Sequence, residues 1–348
     1  MNSANCKITF AIAALAILGV TSVPRVAAQT PTVPEPPRTR VEPTRREPPA
    51  APVVTTAGRG DGELRVAADP NVNIKFCVSE GNLKINGWDR SEVRVFVRSG
   101  RKFTIRVLER DSVSGKANWV WIAPALADGA TPAPAATCLS GDSIEIDVPR
   151  GATVDLEGRS TDVSIDSIKK VRAKIVEGNI SLNNISGGIN AVALQGDLLV
   201  ESSAGAISLE STTGNIVAYD VTPGQIGELF RAKTNSGAIS IQRVEHRQIE
   251  ANTITGSVAF DGKFLVGGIY NFKTSNGSIR LQLPAETSCS ITASYGFGSF
   301  KSALPMTITY ETVSPGGKNL NATIGKGEMC NLKLTTTSGS INIAKPAQ

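Results

Sequence analysis

The sequence predicts an all-β protein: a parallel β-solenoid, or β-helix, of roughly 18–23-residue two-strand coils, preceded by an N-terminal β cap region. Three observations carry that reading. A glycine-centred phrase recurs across half of the chain. Apolar residues alternate with polar ones on both sides of each glycine, and no long stretch shows helical periodicity. Gly and small polar residues are abundant while aromatic residues make up only 5% of the chain, which suits stacked short strands with tight corners.

The N-terminal residues are expected to lie outside the fold. Residues 1–28 read as a secretory signal peptide: a weakly basic head, the apolar run Ile8 to Val20, and small residues ending in Val26-Ala27-Ala28, with cleavage after Ala28. No later segment reaches the ~18 apolar residues of a membrane-spanning helix, so the mature chain is expected to carry no transmembrane segment. Residues 29–58 are dense in Pro, Thr, Arg and Glu and have little to bury, so they read as an extended, proline-rich tether. The formal charge of +5 falls to about +3 once Lys7 and Arg25 leave with the signal. That balance is too mild for nucleic-acid binding, and export argues against it too.

Residues 59–150 hold less regular strands and are expected to cap the stack. Val93 to Val97 and Phe103 to Val107 read as a hairpin joined through Arg98-Ser99-Gly100-Arg101. Val93, Val95, Val97, Phe103, Ile105 and Val107 would face inward. Arg94, Arg98, Lys102 and Arg106 would form a basic outer strip suited to an anionic glycan. Trp119 and Trp121 share strand parity; core filling is the expected role, and stacking on sugar rings the alternative. An Ala/Pro-rich loop, residues 123–137, leads to Cys138 and a strand at Ile144 to Val148.

Four cysteines survive signal removal, an even number in an exported chain, which points to disulfides. Cys289 shares strand parity with Ile291, and Cys330 with Leu332, so both would face one core. That phase favours Cys289–Cys330 and, by elimination, Cys77–Cys138.

Residues 151–348 carry the repeat. From Gly178, Gly196, Gly214, Gly237, Gly256, Gly277 and Gly339, the residue two places on is Ile180, Leu198, Ile216, Ile239, Val258, Ile279 or Ile341. Four places on stand Leu182, Val200, Ala218, Ile241, Phe260, Leu281 and Ile343. A second strand precedes each glycine, with Leu209 and Phe272 among its inward residues. Successive anchors up to Gly277 lie 18, 18, 23, 19 and 21 residues apart. Equivalent residues would stack into ladders ~4.8 Å apart, with Thr234, Thr253 and Thr274 forming one of hydroxyls. Gly187 and Gly205 are expected at the opposite corner. Lys345 and Pro346 follow the last strand and are expected to close the C-terminal end of the stack.

Catalytic chemistry is hard to assemble from this chain. His246 is the single histidine, expected in an exposed loop, and no cysteine pair has zinc-ligand spacing. The register five places after each anchor reads Asn183, Glu201, Tyr219, Gln242, Asp261 and Gln282, so acids never fall on adjacent coils there, as a paired-carboxylate hydrolase would want. No catalytic, metal or cofactor site is expected.

GNLKINGWDRSEVRVFV (Gly81 to Val97), IEIDVPRGATVDLEG, the serial G-x-I-x-L units, NGSIRLQLPAETS and TTTSGSINI follow one another over most of the expected mature chain. In that order they resemble the "putative adhesin" family of unknown function, the DUF4097 β-strand-repeat family. The resemblance implies a bacterial parallel β-solenoid at the cell surface or in the periplasm, and no catalytic residues. The expected function is a non-enzymatic, exported binding or scaffold protein in the periplasm, at the cell surface or secreted. Its partner would be an anionic glycan, a cell-wall or extracellular-matrix component, or another protein. The alternatives are a structural envelope protein that self-associates through its solenoid ends, and a β-helix enzyme acting on polysaccharide.

Overall fold

The structure, a computed structural model, describes residues 61–125, 138–225, 227–326 and 329–346, all within one compact unit. The expected signal peptide and tether lie outside the described residues, as does most of the Ala/Pro-rich loop. Among the described residues every regular element is a strand.

Each coil lays one strand on a broad face and one on a narrow face. On the broad face Lys170–Glu177, Ile189–Gln195, Ile207–Thr213, Leu229–Ser236, Gln248–Thr255 and Gly268–Asn276 pair in parallel, in that order. On the narrow face Ile180–Asn183, Leu198–Glu201, Ile216–Val221, Ile239–Val244, Val258–Asp261 and Ile279–Gln282 do the same. The registers are those of the glycine alignment: Leu198 stacks between Ile180 and Ile216, and Leu209 between Ala191 and Ala232. Alternation sends one apolar row from each face into the space between them, where Phe230, Phe260 and Phe272 are almost wholly buried. Each such side chain contributes about 1.5–3 kcal/mol of burial, so the stack holds without helices.

One corner joins the glycine and hydroxyl ladders. Gly237 has φ of 154°, and a Cβ there would collide with the carbonyl oxygen of Gly214 one coil below. Glycine lets the rungs close at this point. The Gly214 carbonyl also accepts a hydrogen bond from Thr234 Oγ at 3.0 Å. Thr253 donates to Gly237 at 3.0 Å and Thr274 to Gly256 at 2.8 Å. The buried hydroxyl row is therefore satisfied by the backbone that the glycine row exposes. At the opposite corner the positive-φ residues include Gly188, Gly205 and Gly227, joined by Ser167, Asn184, Ser202, Asp220 and Arg243 with φ between 47° and 60°. The turn there is shared with polar and charged residues, and Gly187 is not the residue that makes it.

Three expectations change. The hairpin between Val93–Val97 and Phe103–Val107 does not form. Glu92–Arg98 lies antiparallel between the start of Gly62–Trp88 and Leu139–Pro149, so both of its edges are occupied. Phe103–Arg110 instead pairs with Ala117–Pro124. The loop between them is held by Asp111, whose Oδ1 accepts the N–H groups of Val113 at 3.1 Å and Ser114 at 2.6 Å. Second, the stacking reaches further toward the N-terminus than residue 151: Asn73 to Asn86 of the first strand pair in parallel with Thr153 to Asp166 on both faces. Third, Lys345 and Pro346 do not sit at the end of the stack. Cys330–Ser338 is inserted between Gly268–Asn276 and Cys289–Phe297, and Ile341–Ala344 between Ile279–Gln282 and Phe300–Ser302. The broad face ends instead on the antiparallel pair Gly317–Ile324 and Met306–Ser314.

Candidate functional site

The basic strip expected along one hairpin is divided by the true pairing. Arg94 faces Asp147 across the Glu92–Arg98 and Leu139–Pro149 pair, with Nη1 2.6 Å from Asp147 Oδ2, and its Nη2 is 3.4 Å from Glu63 Oε2. Its charge is already matched. Arg98 ends the same strand opposite Ser143, and Lys102 precedes Phe103–Arg110; both are exposed. Arg106 is in a different setting. It lies opposite Trp121 in the Phe103–Arg110 and Ala117–Pro124 pair, with its guanidinium carbon 5.5 Å from the Trp121 ring centre.

Trp119 and Trp121 are not core residues. Their neighbours Val120 and Ile122 point inward and are fully buried, so strand alternation turns both indoles outward; Trp119 remains 43% exposed. The reason lies in the partner strand: Asn73 and Lys75, polar positions of Gly62–Trp88, stand beside Trp119 and Trp121, while Ile74 and Phe76 take the inner side. Asp155 and then Arg172 continue the row from Lys75 across the broad face. The structure thus joins Arg106, Trp119, Trp121 and Lys75 into one outward platform. A flat aromatic surface beside two cations can stack a ring and hold an anionic substituent.

A second feature lies on the narrow face and was not singled out in the sequence. The residue immediately after each corner forms a rail of carboxylates and amides: Asp162, Asn179, Asp197 and Asn215. Asp162 Oδ1 accepts the N–H of Asn179 at 2.8 Å, and Asn179 Oδ1 accepts the N–H of Asp197 at 2.9 Å. Asp197 Oδ1 then accepts the N–H of Asn215 at 2.7 Å, and Asn215 Oδ1 that of Ala238 at 2.9 Å. Each side chain is locked by the next rung. The signal was present one position after the first three glycine anchors, at Asn179, Asp197 and Asn215, and at Asp162 one coil earlier. The rail borders a groove of about 680 Å³.

The two disulfides join Cys77 to Cys138 and Cys289 to Cys330. The second links Cα partners on adjacent parallel strands, with Cα atoms 4.6 Å apart, as strand phase favoured. His246 is not an exposed loop residue. It is wholly buried, with Nε2 donating to the Gly205 carbonyl at 2.8 Å and its ring tilted against Phe230. Burial pushes its pKa below the usual histidine value, and the Gly205 hydrogen bond opposes that shift. It plugs the corner beside Gly205. Among the described residues no group of three His, Cys, Asp or Glu side chains could hold a metal, and no helix is long and apolar enough to cross a membrane.

Three crystal structures are similar over most of the chain. One is a "putative cell adhesion protein" from Clostridium sporogenes, 13% identical, with a TM-score of 0.22, covering 82% of this chain and 100% of that one. Another is a "putative adhesin" from Bacteroides fragilis, 14% identical, TM-score 0.31, covering 83% and 98%. A third is a "putative lipid binding protein" from Parabacteroides distasonis, 12% identical, TM-score 0.33, covering 82% and 98%. No curated protein matches. The family model described as Toastrack DUF4097 matches residues 62–227, which span the cap strands, the tryptophan platform and the first coils. Over those residues the chain is similar to the Toastrack DUF4097 family.

Proposed function

We propose that this chain is an exported, non-enzymatic binding protein of the periplasm or cell surface, whose broad face takes an anionic glycan or cell-wall fragment at its N-terminal end. The observation that carries the reading is the outward pair Trp119 and Trp121 with Arg106 over one ring and Lys75 beside it. Indoles cost free energy when left in water, and a monomer gains nothing by turning two of them out on a polar face. Stacking a saccharide ring recovers that area, and the two cations supply charge-assisted hydrogen bonds to a carboxylate or phosphate. The two disulfides support folding in an oxidising compartment.

A binding array of anionic glycans and cell-wall fragments tests this with purified protein. Wild type is expected to bind a subset, while Trp119→Ala/Trp121→Ala and Arg106→Ser lose at least tenfold in affinity with unchanged stability. Arg94→Ser is the contrasting variant: its partners are Asp147 and Glu63, so it should alter stability and leave affinity alone. Equal binding by the wild type and the double tryptophan variant would sink the proposal.

A further inference from the structure

We infer that the narrow-face groove is a second binding site, for a linear neutral glycan, separate from the tryptophan platform and independent of it. The groove crosses six successive strands, from Leu139–Pro149 to Ile216–Val221. Its floor is the outward row Lys84, Ser164, Ser181, Leu199 and Val217, which are Cα partners from strand to strand. At ~4.8 Å per rung the row is about 19 Å long. Small hydroxyl residues at one end and Leu199 and Val217 at the other leave a shallow, partly apolar bed. The Asp162–Asn179–Asp197–Asn215 rail runs along its side.

The chemistry of the wall selects the ligand. Carboxylates accept hydroxyl protons, and amides both donate and accept, so the rail offers one polar contact per rung to a hydroxyl-rich chain. Main-chain hydrogen bonds from the next rung hold each rail side chain in place, so little ordering remains to oppose binding. Charge sets the sign. Asp162, Asp197 and Glu145 line the groove against the single cation Lys84, so a polyanion is repelled here, although the broad-face platform attracts one. Geometry separates a glycan from a peptide. The groove runs across the strands and offers no free edge, so a peptide cannot extend the sheet through main-chain pairing. The rung spacing is also longer than the ~3.3 Å of one extended residue, and close to one pyranose unit.

Calorimetric titration of the purified protein with cellopentaose, maltopentaose and a pentagalacturonate tests the assignment. At least one neutral pentamer is expected to bind and the anionic one to fail to displace it. Leu199→Arg should weaken the neutral pentamer at least tenfold, and Trp119→Ala/Trp121→Ala should leave it unchanged. Ser181→Arg, on a neighbouring rung, is read in the same way if Leu199→Arg does not fold. Failure of both neutral pentamers overturns the inference, as does binding that survives both arginine variants. So does displacement by the anionic pentamer, or by a strand-forming peptide. Because the platform variants are scored separately, failure here leaves the broad-face proposal standing, and the reverse.

Discussion

Replacing Gly237 by alanine tests the reasoning about the solenoid corner directly. The backbone there has φ of 154°, and the new Cβ would overlap the Gly214 carbonyl oxygen and stand 2.5 Å from its carbon. Holding an L-residue in that conformation costs about 1–3 kcal/mol. The collision is with backbone, so relief requires the two rungs to part. Parting strains the hydrogen bonds from Gly214 N to Ser236 O and Gly237 N to Thr255 O, both 2.9 Å, and the Thr234 hydroxyl bond to Gly214 O. At about 1 kcal/mol for each of the three bonds weakened, the total loss is about 4–6 kcal/mol. Gly316→Ala is the control: a Cβ there meets nothing within 4 Å, so a change within about 0.5 kcal/mol is expected. Urea unfolding gives the size of the effect and amide exchange its place. In a stack each coil depends on its neighbours, so protection should fall first between the rungs of Gly214 and Gly256. A Gly237→Ala stability within 1 kcal/mol of wild type, or exchange that rises uniformly, would refute the reasoning.

Thr253→Val keeps the shape but leaves the Gly237 carbonyl without its buried donor, and should cost about 1–3 kcal/mol in urea unfolding, with Thr253→Ser restoring most of it. His246 is neutral when buried, so its folded pKa lies below the unfolded value near 6.5. Its contribution is therefore fully present above pH 6.5 and declines as pH falls, because the unfolded chain then binds a proton that the native state refuses. Urea midpoints between pH 7.5 and 5.5 should drop more for wild type than for His246→Phe; parallel slopes would contradict this. Removing the Cys289–Cys330 disulfide with paired serines opens a 41-residue separation and should cost about 4 kcal/mol by the chain-entropy relation. Limited proteolysis should then cut first between residues 289 and 329, the excursion that the inserted strand holds down.

The platform and the rail were legible to different degrees for physical reasons. Trp119 and Trp121 could be assigned a common side from their parity, but parity does not say which side is inside. The inner row was decided by Ile74 and Phe76 on a strand more than 40 residues earlier, packing beside Val120 and Ile122. Arg94 looked free because its neutralising partners, Asp147 and Glu63, come from distant strands. His246 sits among charged residues in sequence, yet the turn folds it beneath Gly205.

By itself, the sequence determined the repeating coil: which residues face inward around the glycine anchors, that one corner needs a glycine, and that threonines three places earlier lie in the core. Those are local demands, since alternation, a left-handed turn and a small corner residue are met or failed within a few positions. Only the tertiary structure decided the order of the rungs. Cys330–Ser338 enters between Gly268–Asn276 and Cys289–Phe297, although it follows both in the chain. From Gly178 onward the coils present like apolar rows and a glycine at the same corner, so the pattern permits each of these rungs to stack on any other. The choice rests on summed side-chain fit across neighbouring rungs and on the side-by-side placement of Cys289 and Cys330.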